Sequence, residues 1–399
     1  MKRCFVVAAF IVFALFEIGN KGYAVQKTDG IQAGLSIIED LNQKAGEICS
    51  IEENRIREQE NKKAEYISGI IADMSLEEKL SQMIILTNPK DITGKKIAKY
   101  RPGGVIYFSP DFKGKTKKQV KKRTKRLQKN ANYPMFIAVD EEGGEVTRTK
   151  GLKENELPEF QSARALWKEQ DIKKVQTDTK EKIQFLKSMG INLNLAPVAD
   201  VTDEKEAYMY ERSSGDDGET VAAYVRTVLE VMAQENMSSC IKHFPGYGNN
   251  ENTHVVYTVD KRRLSHYQES DFLPFLAGIE QGADMIMVSH IVMNAVDKKN
   301  PCSLSKKVHD LLRQELGFEG VIIADDLNMK AILSKMTIEK ASAKAIIAGN
   351  DMIFSADYKA SMKGIKQAVK DGKVSEAQID ESVTRIMEMK VKRKIITVP

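Results

Sequence analysis

Two stretches of this chain concentrate side chains able to do chemistry. Lys242 to Val256 reads KHFPGYGNNENTHVV: a cation and an imidazole, then a loop rich in Gly and Asn, then a second imidazole at His254. A histidine on a polar loop fits poorly with packing in a core. Its ordinary pKa of about 6.5 suits giving and retaking a proton near neutrality. A surface histidine without a role is the plain alternative. The composition of the loop predicts mobility.

Gly320 to Ala331, GVIIADDLNMKA, sets two carboxylates directly after an apolar run. Neighbouring side chains of a strand point to opposite faces, so Asp325 and Asp326 cannot both face one reacting carbon. One is a candidate nucleophile, and the other reads as a turn or helix-capping residue, which is also the plain reading of the pair.

Residues of this kind need a rigid frame, and the rest of the chain describes one. Short apolar runs alternate with longer amphipathic segments, the pattern of strand and crossover-helix units. Eight runs qualify as strands: Met83 to Thr87, Gly104 to Phe108, Met135 to Asp140, Ile191 to Ala196, Ser239 to His243, Met285 to His290, Val321 to Asp325 and Asp351 to Ser355. Helices are expected over Lys115 to Lys129, Glu219 to Glu235, Leu304 to Glu315, Lys330 to Ala348 and Ser375 to Met389. Parallel strands buried on both faces read as nearly continuous apolar runs, as these do. The fold class is therefore α/β, a single-domain TIM-type (β/α)8 barrel over 76–399. Asp140, His243, His290, Asp325 and Ser355 stand at the C-terminal ends of their runs, the face on which such barrels carry chemistry. An open doubly wound sheet is the rival, but no Gly-rich phosphate fingerprint follows the first strand.

The N-terminus reads as an export leader. Lys2 and Arg3 precede an apolar run from Cys4 to Phe16, with small residues at Gly22 and Ala24. The expectation is a signal peptide over 1–24, cut after Ala24; the run is shorter than the roughly 20 residues of a spanning helix, and an uncleaved anchor is the alternative. Residues 25–75 are charged and poor in aromatics. Ile31, Leu35, Ile38, Leu41, Ala45 and Ile48 recur at helical spacing, which predicts a helical spacer, either a stalk or a helix lying against the domain. The formal charge of +5, from 61 Lys and Arg against 56 Asp and Glu, is far from a nucleic-acid signature. Cys49, Cys240 and Cys302 have no metal-like spacing.

From about Met74 to Ile395 the chain resembles glycoside hydrolase family 3, in its single-domain β-N-acetylhexosaminidase branch. VDEEGGEVTR (Val139 to Arg148), NLAPVADV (Asn194 to Val201), KHFPGYG (from Lys242), ADDLNM (Ala324 to Met329) and GNDM (Gly349 to Met352) match that family's motifs in order. The resemblance implies a retaining double displacement with Asp325, chosen over Asp326 by motif position, as nucleophile. It gives the acid/base role to His254, so the usual two-carboxylate geometry does not apply directly. It implies sugar-hydroxyl contacts from Asp140, Arg148, Arg212 in YERSSGD, Lys242 and His243. No metal and no cofactor is implied.

One departure stands out. Members of the resembled family usually carry Asp two residues before the loop histidine; this chain has Asn252. An amide can hold the ring but supplies no charge. Reduced activity follows, unless Glu251 swings in as a substitute carboxylate.

The expected activity is that of a retaining, exo-acting β-N-acetylglucosaminidase, secreted or on the cell surface. Its expected partner is a GlcNAc-terminated glycan or peptidoglycan fragment, with no nucleic acid. The chain is expected to act as a monomer. Three other readings compete: a carbohydrate-binding protein with decayed catalysis, an N-acetylglucosaminide phosphorylase, and a metal-dependent hydrolase using His243, His290 and Asp325. The basic stretch Lys113 to Lys129 is a solvated helix face or, in its functional version, attracts an anionic cell wall.

Overall fold

The computed structural model describes residues 29–153 and 157–399; the expected leader lies outside them. The chain divides into one unit up to Gly69 and another from Ile70 to Pro399. The spacer is helical, as its spacing predicts: α1 runs unbroken over Asp29–Asp73. Its residues from Ile51 to Glu65 are exposed. Among the described residues no helix is long and apolar enough to cross a membrane.

The second unit is a closed barrel of eight parallel strands. They are β1 Ile84–Leu86, β2 Gly104–Tyr107, β3 Phe136–Val139, β4 Leu193–Asn194, β5 Ser238–Phe244, β6 Met285–Val288, β7 Val321–Ala324 and β8 Met352–Ser355. Each pairs with its neighbours in sequence, and β1 closes the ring against β8 through Ile84 opposite Ile353. All strand residues are buried, which is why the sequence shows no alternation of apolar and polar positions.

Helices return the chain between strands: α2 Leu76–Gln82 ahead of β1, then α3 Gly94–Tyr100, α4 Lys117–Lys129, α5 Ile172–Ser188, α6 Gly218–Gln234, α7 Phe272–Glu280, α8 Lys306–Asp310, α9 Ile338–Ala348, α10 Tyr358–Lys370 and α11 Glu376–Lys392. Their starts are written locally. Ser75 and Glu78 form a reciprocal capping box on α2, Thr116 and Gln119 another on α4, and Asp217 caps α6 through the Thr220 N–H. α4 buries only Val120, Thr124 and Leu127, the apolar stripe that its spacing requires.

Two helices differ from the sequence expectation. The segment from Lys330 to Ala348 is not one helix: a turn over Lys330–Leu333 ends before Thr337, whose hydroxyl caps a new start at the Lys340 N–H. The helix expected from Leu304 begins at Lys306, capped by Ser305, and widens into a π-turn over Leu311–Glu315.

Candidate active site

Side chains from several strand ends converge on one cavity of about 230 Å³. Asp140, Arg148, Arg212, Lys242, His243, His254 and Asp325, all named from the sequence, line it, together with Glu142, Tyr208 and Asp326.

The β3 end supplies Asp140, and a two-stranded hairpin (Glu141–Gly143 with Val146–Thr147) carries Glu142 and leads to Arg148. Gly143 has φ 113°, and a Cβ there would sit 2.0 Å from the Gln161 carbonyl oxygen, so only glycine permits the turn that aims Glu142 inward. Strand β5 supplies Lys242 and His243. Consecutive residues of a regular strand would diverge, but the β5–β6 register slips between Lys242 and Phe244, and both side chains reach the cavity.

These groups form a network of paired charges. Lys242 Nζ lies 2.7 Å from an oxygen of Asp140 and 2.7 Å from one of Glu142. Arg212 forks onto Glu142, Nε and Nη2 donating at 2.9 and 2.8 Å. Arg148 pairs more loosely with Asp140, at 3.6 Å. Burial opposes charge on Glu142, but Arg212 and Lys242 outweigh it and hold the carboxyl far below its ordinary value. Burial likewise works against the Lys242 ammonium, and Asp140 and Glu142 raise it again.

His243 is fixed from behind by Asp200, a residue with no exposed surface. One Asp200 oxygen takes the ring Nδ1–H at 2.7 Å and the His243 backbone N–H at 3.2 Å; the other takes the Tyr247 N–H at 2.8 Å. This sets the tautomer, leaving Nε2 toward the cavity, 3.5 Å from Arg212 Nη2. The chain can double back here because Gly246 has φ 116° and a Cβ would meet the Asp271 carboxylate at 2.4 Å.

Asp325 follows the last residue of β7. Strand alternation therefore does not separate it from Asp326, as the sequence suggested it would: both border the cavity. They part by their hydrogen bonds instead. Asp326 Oδ1 accepts from the Asn328 N–H at 3.0 Å, a turn-forming role. Asp325 accepts the Asp326 N–H at 2.8 Å. Burial opposes ionisation of Asp325, but His290, His243 and His254 with that N–H outweigh it and hold the carboxyl below its usual value. Burial dominates for Asp326 and raises it.

His254 sits on the exposed loop at the cavity rim. Its backbone N–H and ring Nδ1 both converge on Asn252 Oδ1, at 2.9 and 2.8 Å. With the amide oxygen accepting, Nδ1 carries the hydrogen and Nε2 keeps its lone pair. Desolvation, aided by His243 and Arg212, lowers the ring pKa against the pull of Asp325. Glu251 is exposed, and no hydrogen bond joins its carboxylate to His254 among the described residues; Asn252 holds the ring by its hydrogen bond, and Tyr208 packs edge-on against it. The loop is also anchored: buried Thr253 hydrogen-bonds Tyr247 Oη, and its carbonyl accepts the Ala331 N–H at 3.3 Å.

His290 faces neighbouring groups. Its Nε2 donates to the Asp326 carbonyl at 3.0 Å and its Nδ1 meets the Ser303 hydroxyl at 2.7 Å, so both ring nitrogens are engaged. Among the described residues no group of His, Cys, Asp or Glu is arranged to hold a metal ion. Glu142 and Asp200 were not singled out from the sequence. Glu142 lies two residues beyond Asp140, a spacing that returns a side chain to the same face, and Asp200 lies in the NLAPVADV stretch.

The model of the glycosyl hydrolase family 3 N terminal domain matches residues 75–389. The chain belongs to glycosyl hydrolase family 3. Curated relatives in the family include a beta-hexosaminidase of Xanthomonas campestris pv. campestris, 31% identical over 254 residues that span 63% of this chain and 76% of that one. Another, from Stenotrophomonas maltophilia, is 32% identical over 75% of its length. A family 3 beta-N-acetylglucosaminidase from Paenibacillus sp. str. FPU-7 superposes with TM-score 0.76 at 30% identity, over 81% of this chain and 63% of that one, so this chain spans less than two thirds of the Paenibacillus enzyme. M tuberculosis LpqI superposes with TM-score 0.74 at 27% identity, over 81% of this chain and 96% of that one. As a family 3 member the chain is a glycoside hydrolase built on a (β/α)8 barrel.

Proposed function

We propose that this protein is a retaining, exo-acting β-N-acetylglucosaminidase. The names of its relatives support a GlcNAc-containing substrate. The observation that carries the mechanism is the pairing, across one cavity, of an ionised buried carboxylate, Asp325, with an imidazole whose Nε2 is bare, His254. A cavity of about 230 Å³ is smaller than the roughly 300–1,000 Å³ that hold drug-sized ligands, and it suits one terminal sugar.

In the first step an Asp325 oxygen bonds to C1, the bond from C1 to the leaving oxygen breaks, and protonated His254 gives that oxygen a proton. In the second, neutral His254 takes a proton from water as its oxygen bonds to C1, and the ester to Asp325 breaks. Two inversions at C1 give net retention. Asp140, Arg148, Arg212, Lys242 and His243 hold the sugar hydroxyls, and the fixed fork of Arg212 keeps the ring in register with Asp325. Glu142 neutralises the cations beneath.

A buried Asp325 and a loop imidazole with a free Nε2 lining one cavity speak against a binding protein with decayed catalysis. The test is the anomer first released from an aryl β-N-acetylglucosaminide, followed by NMR. The β-anomer is expected; the α-anomer would refute the double displacement. Peptidoglycan fragments as natural substrate, export with cleavage after Ala24, a spacer over 25–75 and a monomeric state belong to the same reading. Fractionation of cells that express the full chain tests the export, which a purely cytosolic enzyme would contradict.

A further inference from the structure

Charge on this protein is segregated. Helix α3 carries three cations, α4 eight and α10 four, with no acid in any of the three. Removing those fifteen from a chain of formal charge +5 leaves −10 for everything else. The three helices are neighbours: Tyr100 of α3 stacks on Tyr358 of α10 at 4.0 Å, and Gly94 of α3 abuts Asn130 at the end of α4.

On α4, Lys118, Lys121, Lys122, Lys125, Arg126 and Lys129 are exposed and have no ion-pair partner among the described residues. They repeat at three- and four-residue spacing, where like charges repel along the helix. From Lys118 to Lys129 the row spans about 16 Å at the usual helical rise. A groove of about 490 Å³ continues the belt between α3 and α10; Lys99, Lys359 and Lys370 line it without an ion-pair partner among the described residues, while Lys366 pairs there with Glu77 and Lys363 with Glu339.

We propose that this belt docks the enzyme on an anionic, phosphodiester-linked glycan polymer. The belt is nearly all lysine, a hydrated point charge that meets phosphates without fixing their orientation, whereas planar bidentate sites favour arginine. Tyr100, Tyr358 and Met362 line the floor of the groove but are buried, the two rings stacked on each other, and no exposed large apolar side chain lies on the three helices, so the belt offers little to insert into lipid or to stack on a base. What it complements is repeated negative charge along a chain. A glycan is the occupant that matches the proposed glycosidase activity, on which this choice of polymer rests.

The experiment measures binding of the full chain to a soluble sugar-phosphate polymer, poly(N-acetylglucosamine 1-phosphate), across a salt series, beside duplex DNA, vesicles of acidic phospholipid and a neutral glycan. The variant Lys118→Gln/Lys121→Gln/Lys122→Gln/Lys125→Gln is compared with Lys261→Gln/Lys298→Gln/Lys299→Gln/Lys307→Gln, which removes equal charge elsewhere. We expect the α4 variant to lose at least about tenfold in affinity and to flatten the salt slope by about 2–3, while the control stays within about twofold. Both should hydrolyse a small aryl β-N-acetylglucosaminide like wild type. If the α4 variant loses that activity and with it the fold, Lys95→Gln/Lys359→Gln/Lys370→Gln reads the same belt. No binding by wild type, equal losses in both variants, or tighter binding to DNA or vesicles would overturn the docking surface. Absent hydrolysis by wild type would instead overturn the glycosidase reading and leave polyanion binding standing.

Discussion

The ring Nδ1 of His254 hydrogen-bonds to the side-chain oxygen of Asn252, 2.8 Å away, where a carboxylate would place a full negative charge. The amide orients the ring and sets its tautomer but supplies no charge to favour the imidazolium that the proposed mechanism needs.

Asn252→Asp should therefore raise the His254 pKa by about one unit or more, the effect of an opposite charge in contact. The gain should appear as a higher kcat/KM, larger for alkyl than for nitrophenyl glucosaminides, because poor leaving groups depend more on the proton. Glu251→Gln should change little, within about twofold, since Glu251 has no hydrogen bond to the ring. Equal rates for wild type and Asn252→Asp on every leaving group would show that the missing charge is irrelevant.

Under the proposed mechanism the pH profile follows from two directions. His254 must be protonated to start the cycle, and its pKa lies below the ordinary 6.5, so the alkaline limb of kcat/KM should fall below that value. Asp325 must be ionised, and its pKa lies below 3.8, so the acid limb should fall below that value too. The result is a bell displaced to acid, measurable with a substrate whose leaving group does not itself titrate. An alkaline limb above pH 7 would contradict the assignment of His254.

Asp200 positions His243 without reaching the sugar. Asp200→Asn keeps an oxygen for one N–H but loses the charge and one acceptor, so KM should rise more than kcat falls. Asp200→Ala leaves three buried donors bare and should cost about 3 kcal/mol of stability. A denaturant titration beside the kinetics separates the two effects.

Glu142 links the site to acid stability. Its folded pKa lies below the ordinary 4.5, so its contribution is complete above that pH and is lost as pH falls toward the depressed folded value. Glu142→Ala should destabilise the fold at neutral pH by about 3–5 kcal/mol, because it strands the buried Arg212 and leaves Lys242 with Asp140 alone. The gap from wild type should narrow in acid.

Most of the frame was legible because burial on both faces wrote each strand as an apolar run. Asp325 and His254 were singled out for a different reason: the sequence placed one after an apolar run and the other on a polar loop, motif position chose Asp325 over Asp326, and the fold brings both to one cavity. Glu142 and Asp200 escaped because a buried charge is justified only by partners distant in sequence, Arg212 in one case and His243 in the other. Strand alternation does not divide Asp325 from Asp326, because β7 ends at Ala324. The break before Ile338 was missed because Thr337 competes locally with helix continuation, and periodicity across it stays apolar.

In the proposed mechanism Asp325 forms the covalent bond to C1, and trapping reads that bond directly. A fluorinated N-acetylglucosaminyl donor that slows release of the intermediate should inactivate the enzyme, and peptide mass spectrometry should find the sugar on Asp325 alone. Label on another residue, or no label from an enzyme that still turns over, would contradict the account.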